Sequence, residues 1–173
     1  AIIGKYVNLK DAYKSLDEAL IHGGISNKVK VNLIRIESDN LKVNEIKEKL
    51  KDVSGLLIPG GFGKRGTEGK ISAVKYAREN KIPFLGICFG MQMAIIEFAR
   101  NKLKIKNAGS TELDKNCYPI VGLINQWDKN GKIIKGTDKN LGGTMRLGLY
   151  EAKLKNNSAI NRIYKSTSIK ERH

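Results

Sequence analysis

The chain has 173 residues, of which 40% are hydrophobic and 28% charged, proportions that are typical of a soluble globular protein. A chain of this length can bury a hydrophobic core as one domain without the support of a metal or a disulfide. No apolar run approaches the roughly 18 residues of a membrane span, and the two cysteines form no disulfide framework, so we expect a cytoplasmic protein with no membrane partner.

The net charge of +15 comes from 32 lysine and arginine residues against 17 acidic residues, and it raises the question of nucleic-acid binding. Most of the basic residues are lysines scattered along the chain, without long blocks and without the interleaved aromatic residues that stack on bases. This pattern favours a lysine-rich solvated surface and no nucleic-acid partner, although the charge still favours anionic ligands such as nucleotide phosphates.

The first hundred or so residues alternate between strand and helix patterns. We predict strands at 2–7, 29–36, 55–58 and 82–87, and helices at 11–22, 43–50, 71–80 and 89–101, the first helix ending at Gly23-Gly24. Short connections between alternating strands and helices indicate parallel strands joined by right-handed crossovers. The predicted fold class is therefore α/β, an open, mostly parallel sheet with helices on both faces.

The pattern changes after about residue 107, where turn signals become more frequent. Asn130-Gly131 predicts a hairpin between 122–124 and 132–134, followed by a strand at 145–154 and a short helix at 158–164. No internal repeat, linker or low-complexity segment interrupts the chain, so we predict a single domain over 1–173.

Residues 59–70 read PGGFGKRGTEGK and contain the spacing G-x-G-x-x-G. A phosphate-binding P-loop is excluded, because Lys64 stands where it needs glycine and Ile71 where it needs a hydroxyl. A dinucleotide loop needs an acidic residue about twenty positions later, where this chain has Cys88 instead. The glycines therefore indicate a different chemistry.

The segment Gly86-Ile87-Cys88-Phe89-Gly90 has the spacing of a nucleophile elbow, G-x-C-x-G, between a predicted strand and a predicted helix. The helix N-terminus favours a thiolate at Cys88, and flanking glycines at both required offsets argue against an ordinary buried core cysteine. We predict Cys88 as the nucleophile, and the N–H groups of Phe89 and Gly61 as the two donors of an oxyanion hole. No metal site is predicted.

Several motifs extend beyond the elbow and together resemble the class I glutamine amidotransferase domain of cytidine triphosphate synthases. They lie at 4–6, 11–15, 18–20, 59–71, 85–92, 97–100, 110–112 and 143–148. The resemblance covers essentially the whole chain and implies the class I glutamine amidotransferase, or flavodoxin-like, form of the α/β fold. One departure is Phe89, which stands where that family usually has leucine.

The resemblance implies that Cys88 attacks the side-chain amide of L-glutamine, forms a thioester and releases ammonia. An amidoligase domain of the same polypeptide would use the ammonia, with ATP and Mg²⁺, to convert UTP to CTP, and the full-length enzyme would be a homo-oligomer. No cofactor is implied for the present domain, while GTP would be an allosteric activator. The resemblance assigns glutamine binding to Gly61, Phe89, Gly90, Met91, Gln92 and Glu112, and the GTP response to Lys64, Arg65, Gly66 and Glu68.

A catalytic cysteine of this class needs a histidine base, which the family supplies near its C-terminus. This chain has two histidines: His22, expected at the end of the first helix, and His173, which resembles the residues just upstream of the family's catalytic histidine. We therefore expect a truncated domain, without the amidoligase domain before Ala1 and without the catalytic His and Glu after His173, that has little or no glutaminase turnover.

Two other functions are also compatible with the sequence. The chain could be a class I amidotransferase of another pathway, or a catalytically silent regulatory domain that binds nucleotides through its basic surface. Reaction of Cys88 with an electrophilic glutamine analogue would count against the silent domain.

Overall fold

A computed structural model describes residues 1–7, 9, 11–122, 126–129, 131–136 and 148–172. Its contacts divide the chain into two compact units, Ala1–Leu123 and Ile124–His173. The single domain expected from the sequence stays a prediction.

Four short parallel strands form the sheet of the first unit. They are β1 (Ile2–Gly4), β2 (Arg35–Glu37), β3 (Leu56–Ile58) and β4 (Phe84–Gly86), in the order β2-β1-β3-β4. In register, Ile3 of β1 pairs with Ile36 of β2, and Leu57 of β3 pairs with Leu85 of β4. The switch in strand order between β1 and β3 is where such sheets bind ligands, beyond the carboxyl ends of the strands.

Four helices accompany the sheet and confirm the predicted α/β class. They are α1 (Lys14–Ser26), α2 (Val43–Leu50), α3 (Thr67–Glu79) and α4 (Phe89–Asn101), of which α2 and α4 match the predicted bounds residue for residue. By the right-handed crossover rule, α1 lies on one face, because it leads from β1 outward to β2, while α2 and α3 lie on the other. Contacts of α3 with both α2 and α4 agree with that arrangement.

The hydrophobic core lies between the sheet and the helices α2 and α3. Ile3 and Ile58 from the strands and Leu50 from α2 are fully buried, with Ala73 and Ala77 of α3 packed against them. Burying a large aliphatic side chain contributes about 1.5–3 kcal/mol. All three residues of β1 and of β3 are buried, as expected for central strands covered on both faces.

The first helix does not end at Gly23-Gly24, so that prediction is wrong. The helix continues to Ser26, and a Cβ added at Gly24 would lie 2.5 Å from the Val31 side chain. Gly24 therefore allows the following segment to pack closely on the helix. From the sequence alone, a glycine needed for close packing looks the same as a glycine that ends a helix. The end is fixed at Asn27, whose side chain donates to the Gly23 carbonyl at 2.8 Å.

The predicted strand at 29–36 is much shorter in the structure. Only Arg35–Glu37 pairs with β1, while Val29 and Ile34 are exposed. The alternation in 29–34 therefore does not make a strand, because β1 itself is three residues long and offers no further partner. By contrast, α3 begins four residues earlier than predicted, where Thr67 Oγ1 donates to the Lys64 carbonyl at 2.8 Å.

A partly buried ion pair joins α3 to α4. The guanidinium of Arg78 donates to both carboxylate oxygens of Glu97, which is 1% exposed. Arg100 on α4 pairs with Glu68 at 3.0 Å and also donates to the Ala108 carbonyl at 2.7 Å. These contacts hold α4, the helix that carries the elbow, against α3 and against the parallel pair of β5 (Ala108–Ser110) and β6 (Tyr118–Val121).

The described residues of the second unit form two antiparallel strand pairs and one short helix. Its elements are β7 (Gln126–Lys129), β8 (Lys132–Lys135), β9 (Leu149–Lys153), α5 (Ala159–Tyr164) and β10 (Ser168–Arg172). The predicted hairpin pairs β7 with β8, although its first strand begins later than expected, and β9 pairs with β10. The start of the strand predicted at 145–154 lies outside the described residues. None of the described helices is long and apolar enough to cross a membrane.

Candidate active site

Cys88 occupies a strained turn between β4 and α4. Its φ of 53° and ψ of −106° place it at the N-cap of α4 in a region that side-chain-bearing residues rarely adopt. Such a conformation costs about 1–3 kcal/mol and persists only where the surroundings enforce it. Here the Ile87 N–H donates to the Ile58 carbonyl at 3.0 Å and the Gly90 N–H to the Ile87 carbonyl at 2.9 Å. The strand–turn–helix geometry predicted from the sequence is thus present, and the thiol is exposed.

The two glycines of the elbow have no room for a side chain. A Cβ added at Gly86 would lie 2.6 Å from the backbone carbon of Gly90, so these two residues approach each other across the turn as the motif requires. At Gly90 the closest obstacle is a different one, the Ile58 carbonyl oxygen at 2.0 Å. The second glycine therefore lets α4 begin directly against β3.

The loop after β3 lies beside the cysteine. A Cβ built on Gly60 would lie 3.6 Å from the Cβ of Cys88, whereas one built on Gly61 would meet no heavy atom within 4 Å. Pro59 and Cys88 thus come together at the carboxyl edge of the sheet, as the topology predicts. The open space at Gly61 is where a small substrate can approach the backbone and the thiol together.

Lys5 fixes this loop, and the sequence interpretation missed it. The residue directly follows β1, and its Nζ donates to the carbonyl oxygens of Phe62 and Gly63, the latter at 3.0 Å. Burial lowers the pKa of Lys5, as does Arg65, while the charges of Asp39 and Glu112 raise it. Its place at the carboxyl end of the strand next to β3 was the signal available in the sequence.

The side chain of Phe89 is anchored beneath the elbow. The ring is 1% exposed and packs with Ile71, Met93 and Ile96. Its centroid lies 5.7 Å from Nζ of Lys5 and 5.4 Å from Nζ of Lys70, both within the range of a cation–π interaction. The sequence predicts a role for the backbone N–H of Phe89 but does not indicate this contact between its ring and Lys70.

Three further residues predicted to bind glutamine surround the same edge. Gln92 lies in the first turn of α4, and its Oε1 is buried without a hydrogen-bond partner among the described residues. Met91 is exposed, and so is Glu112, whose N–H donates to Ser110 Oγ at 3.3 Å. A buried amide oxygen without a partner is costly unless a ligand or water satisfies it. Gln92 is therefore suited to accept a hydrogen bond from a polar substrate.

The four residues assigned to a GTP response differ in their surroundings. Arg65 Nε pairs with Asp39 Oδ2 at 2.7 Å and its side chain is largely exposed, as is Lys64. Gly66 has a φ of 70° and packs against Ser38, where a Cβ would lie 2.5 Å from Oγ, and Glu68 pairs with Arg100. Lys64 and Arg65 can reach a ligand in solution, whereas Gly66 and Glu68 already serve the local fold. The described residues contain no cluster of three side chains suited to a metal ion.

Comparison with known proteins agrees with this geometry. The family described as glutamine amidotransferase class-I matches residues 8–173. The chain is 76% identical over 173 residues to a CTP synthase of Pelagibacter ubique and 58% identical over 174 residues to one of Brucella anthropi. Both matches cover 100% of this chain and 32% of the relative, so the chain spans about a third of the length of these curated relatives.

A solved structure has the same fold. The glutaminase domain of Trypanosoma brucei CTPS with bound acivicin matches with a TM-score of 0.82 and 31% identity, over 99% of this chain and 64% of that chain. The fold predicted from the sequence and the resemblance carried by its motifs are both confirmed. The strained cysteine, the glycine loop beside it and these matches together show that the chain belongs to the class I glutamine amidotransferase family.

Proposed function

We propose that this chain is the glutaminase domain of a CTP synthase. The observation that carries the proposal is Cys88, held at a positive φ at the start of α4 beside an open glycine loop. The identity of 76% to a CTP synthase along the entire chain supports the same function. We assign the amination of UTP, with ATP and Mg²⁺, to an amidoligase domain of the same enzyme. The proposed partners of this chain are glutamine and that amidoligase domain.

The chemistry follows from the position of the thiol. The Cys88 thiolate attacks the side-chain carbonyl carbon of glutamine, and the negative charge moves to the carbonyl oxygen. The N–H groups of Gly61 and Phe89 stabilise that charge. The C–N bond then breaks, ammonia leaves with a proton donated by an acid, and a thioester remains. Water hydrolyses the thioester to glutamate and restores the thiol.

The remaining residues bind the rest of the substrate. The exposed carboxylate of Glu112 suits the α-ammonium group of glutamine, and its charge already acts on Lys5 at the same edge of the sheet. Gln92 offers its unpartnered amide oxygen, while Gly90 and Met91 border the thiol at the start of α4. These contacts select glutamine by its charged end as well as its amide.

The proposal is tested by labelling the chain with a chloroketone analogue of glutamine. Mass spectrometry should find the adduct on Cys88 and not on Cys117, and L-glutamine should slow its formation. Ammonia release from glutamine is measured separately, because it tests the expectation from the sequence that this chain has little or no glutaminase turnover. Equal labelling of both cysteines without protection by glutamine would contradict the proposed function. Rapid ammonia release would contradict only the expected inactivity.

We further propose that GTP regulates the domain through the exposed loop that contains Lys64 and Arg65. A guanidinium that is largely exposed and held by one carboxylate, Asp39, can exchange that partner for a phosphate. Residues Gly66 and Glu68 would contribute by holding the loop in place.

Arg65→Ala is expected to reduce GTP activation about tenfold while leaving ammonia-dependent CTP synthesis unchanged, since one charge-assisted contact is lost. The measurement uses a chimera in which this chain replaces the matching 173 residues of the Pelagibacter ubique CTP synthase. Arg35→Ala is the matched control, because Arg35 is also a partly exposed arginine paired with an aspartate, Asp17. Equal GTP activation in both variants would exclude Arg65 from the response.

A further inference from the structure

Lys70 is a buried cation that the proposed reaction does not use. It lies in the first turn of α3 and is 3% exposed. Among the described residues, no carboxylate lies within ion-pair distance of its Nζ. Its pKa is lowered to about 8, mainly by burial and then by the charge of Lys5 and, less strongly, of Arg65, while Asp39 and Glu37 partly offset these effects. A lysine kept in such surroundings destabilises the fold and calls for another explanation.

The group that its ammonium contacts is the ring of Phe89. The distance from Nζ to the ring centroid is 5.4 Å, within the range of a cation–π interaction, which is strongest where the cation is desolvated. Lys5 lies 5.7 Å from the same ring and also binds the carbonyl oxygens of Phe62 and Gly63. The two ammonium groups and the ring therefore connect the loop after β3 with the first residue of α4.

We propose that Lys70 is a positioning residue of the oxyanion hole, which holds the Phe89 ring and thereby fixes the Phe89 N–H relative to the Gly61 loop. The inference rests on the proposed function, because it assumes that this N–H stabilises the oxyanion. Phe89 is the first residue of α4, so a shift of its ring in the core also moves its backbone. A misplacement of about 1 Å at such a donor can cost up to about 10²-fold in rate.

The experiment compares two electrophiles that react with the same thiol. With a chloroketone analogue of glutamine, the thiolate first adds to the ketone carbon and the carbonyl electron pair moves to the oxygen as negative charge. The sulfur then bonds to the methylene carbon, chloride leaves with its electron pair, and the ketone forms again. With iodoacetamide, the thiolate displaces iodide directly from the methylene carbon, and no negative charge forms on an oxygen atom that the oxyanion hole would bind. We divide the rate constant for the chloroketone at Cys88 by the rate constant for iodoacetamide. Both reactions need the thiolate, so the thiolate fraction cancels and this ratio measures how well the oxyanion hole stabilises the charge.

Lys70→Met is expected to lower this ratio about tenfold, with the iodoacetamide rate nearly unchanged, because the donor is misplaced while the thiol is not. The same variant should be at least as stable as the wild type near pH 7, because methionine is not charged in the core. Lys70→Arg, which keeps the charge, should restore much of the ratio. A lysine with a purely structural role would show lower stability and equal losses with both electrophiles.

A double-mutant cycle tests whether Lys70 acts through the ring. Phe89→Leu keeps the backbone N–H and removes the aromatic face, so Lys70→Met should have little further effect on the ratio in that background. Full additivity of the two effects would exclude a path through Phe89.

The pH dependence gives an independent readout that does not require the methionine variant to fold. Lys70 is charged below its pKa of about 8 and neutral above it, and the charged groups that act on it are Lys5, Asp39, Glu37 and Arg65. The ratio for the wild type should therefore fall between about pH 7 and about pH 9, and it should fall less in Lys70→Arg. The amino group of the analogue titrates alike in both proteins and cancels in the comparison.

Two results would overturn the inference. One is an unchanged ratio in Lys70→Met together with parallel pH profiles for the wild type and Lys70→Arg. The other is an equal loss with both electrophiles. A different result would contradict the proposed function itself: Cys88 of the wild type reacts with the chloroketone no faster than Cys117, and glutamine does not protect it. The inference then fails as well.

Discussion

Replacing Cys88 with serine is expected to lower glutamine-dependent CTP synthesis at least about 10³-fold, because a serine hydroxyl is not ionised by a helix N-terminus. The chimera with the Pelagibacter ubique enzyme serves for the assay, and the same preparation is measured with ammonia in place of glutamine. Ammonia-dependent synthesis should stay within about twofold of the parent, because it does not pass through the thioester. Serine has nearly the same size as cysteine, so the elbow itself should be preserved.

The matched control for this variant is Cys117→Ser. Cys117 is the other cysteine of the chain, and it packs against Gly109 of β5, where an added Cβ would lie 2.9 Å from its Sγ. This variant should retain both activities. If Cys88→Ser retained glutamine-dependent synthesis, or lost both activities equally, Cys88 would not be the nucleophile of a separate glutaminase reaction.

The features that the sequence predicted well are set by short stretches of chain. The elbow glycines and Cys88 are neighbours in sequence, and the bounds of α2 and α4 follow from a helical pattern that is complete within each segment. The meeting of Pro59 and Cys88 required only one further rule, that parallel strands end at the same edge of a sheet. Local patterns and topology therefore located the thiol and the loop beside it.

The features that the sequence did not predict depend on contacts between distant segments. Lys5 and Phe62 are 57 positions apart, and nothing in either segment shows that one donates to the other. The burial of Lys70 against Phe89 is equally invisible, because a lysine in a glycine-rich loop suggests a solvated or phosphate-binding group. At Gly24 the same limit produced an error, since a glycine needed for close packing has the same sequence signature as a helix stop.

Replacing Gly90 with alanine is expected to destabilise the first unit by about 3 kcal/mol or more and to abolish labelling of Cys88. The added Cβ would lie 2.0 Å from the carbonyl oxygen of Ile58, a backbone atom that cannot rotate away. Relief requires that α4 move from β3, which would release the turn that holds Cys88 at a φ of 53°. Thermal or urea unfolding measures the loss of stability, and the chloroketone reaction measures the loss of the elbow.

Gly23→Ala is the control that separates this clash from the general effect of alanine. Gly23 also lies inside a helix, but a Cβ added there would meet no heavy atom within 4 Å. Alanine should therefore stabilise α1 by about 0.5–1 kcal/mol through its higher helix propensity. The same intrinsic gain is present at Gly90, so the difference between the two variants measures the contact with Ile58. If Gly90→Ala were as stable and as reactive as Gly23→Ala, the close approach of α4 to β3 would not be what presents the thiol.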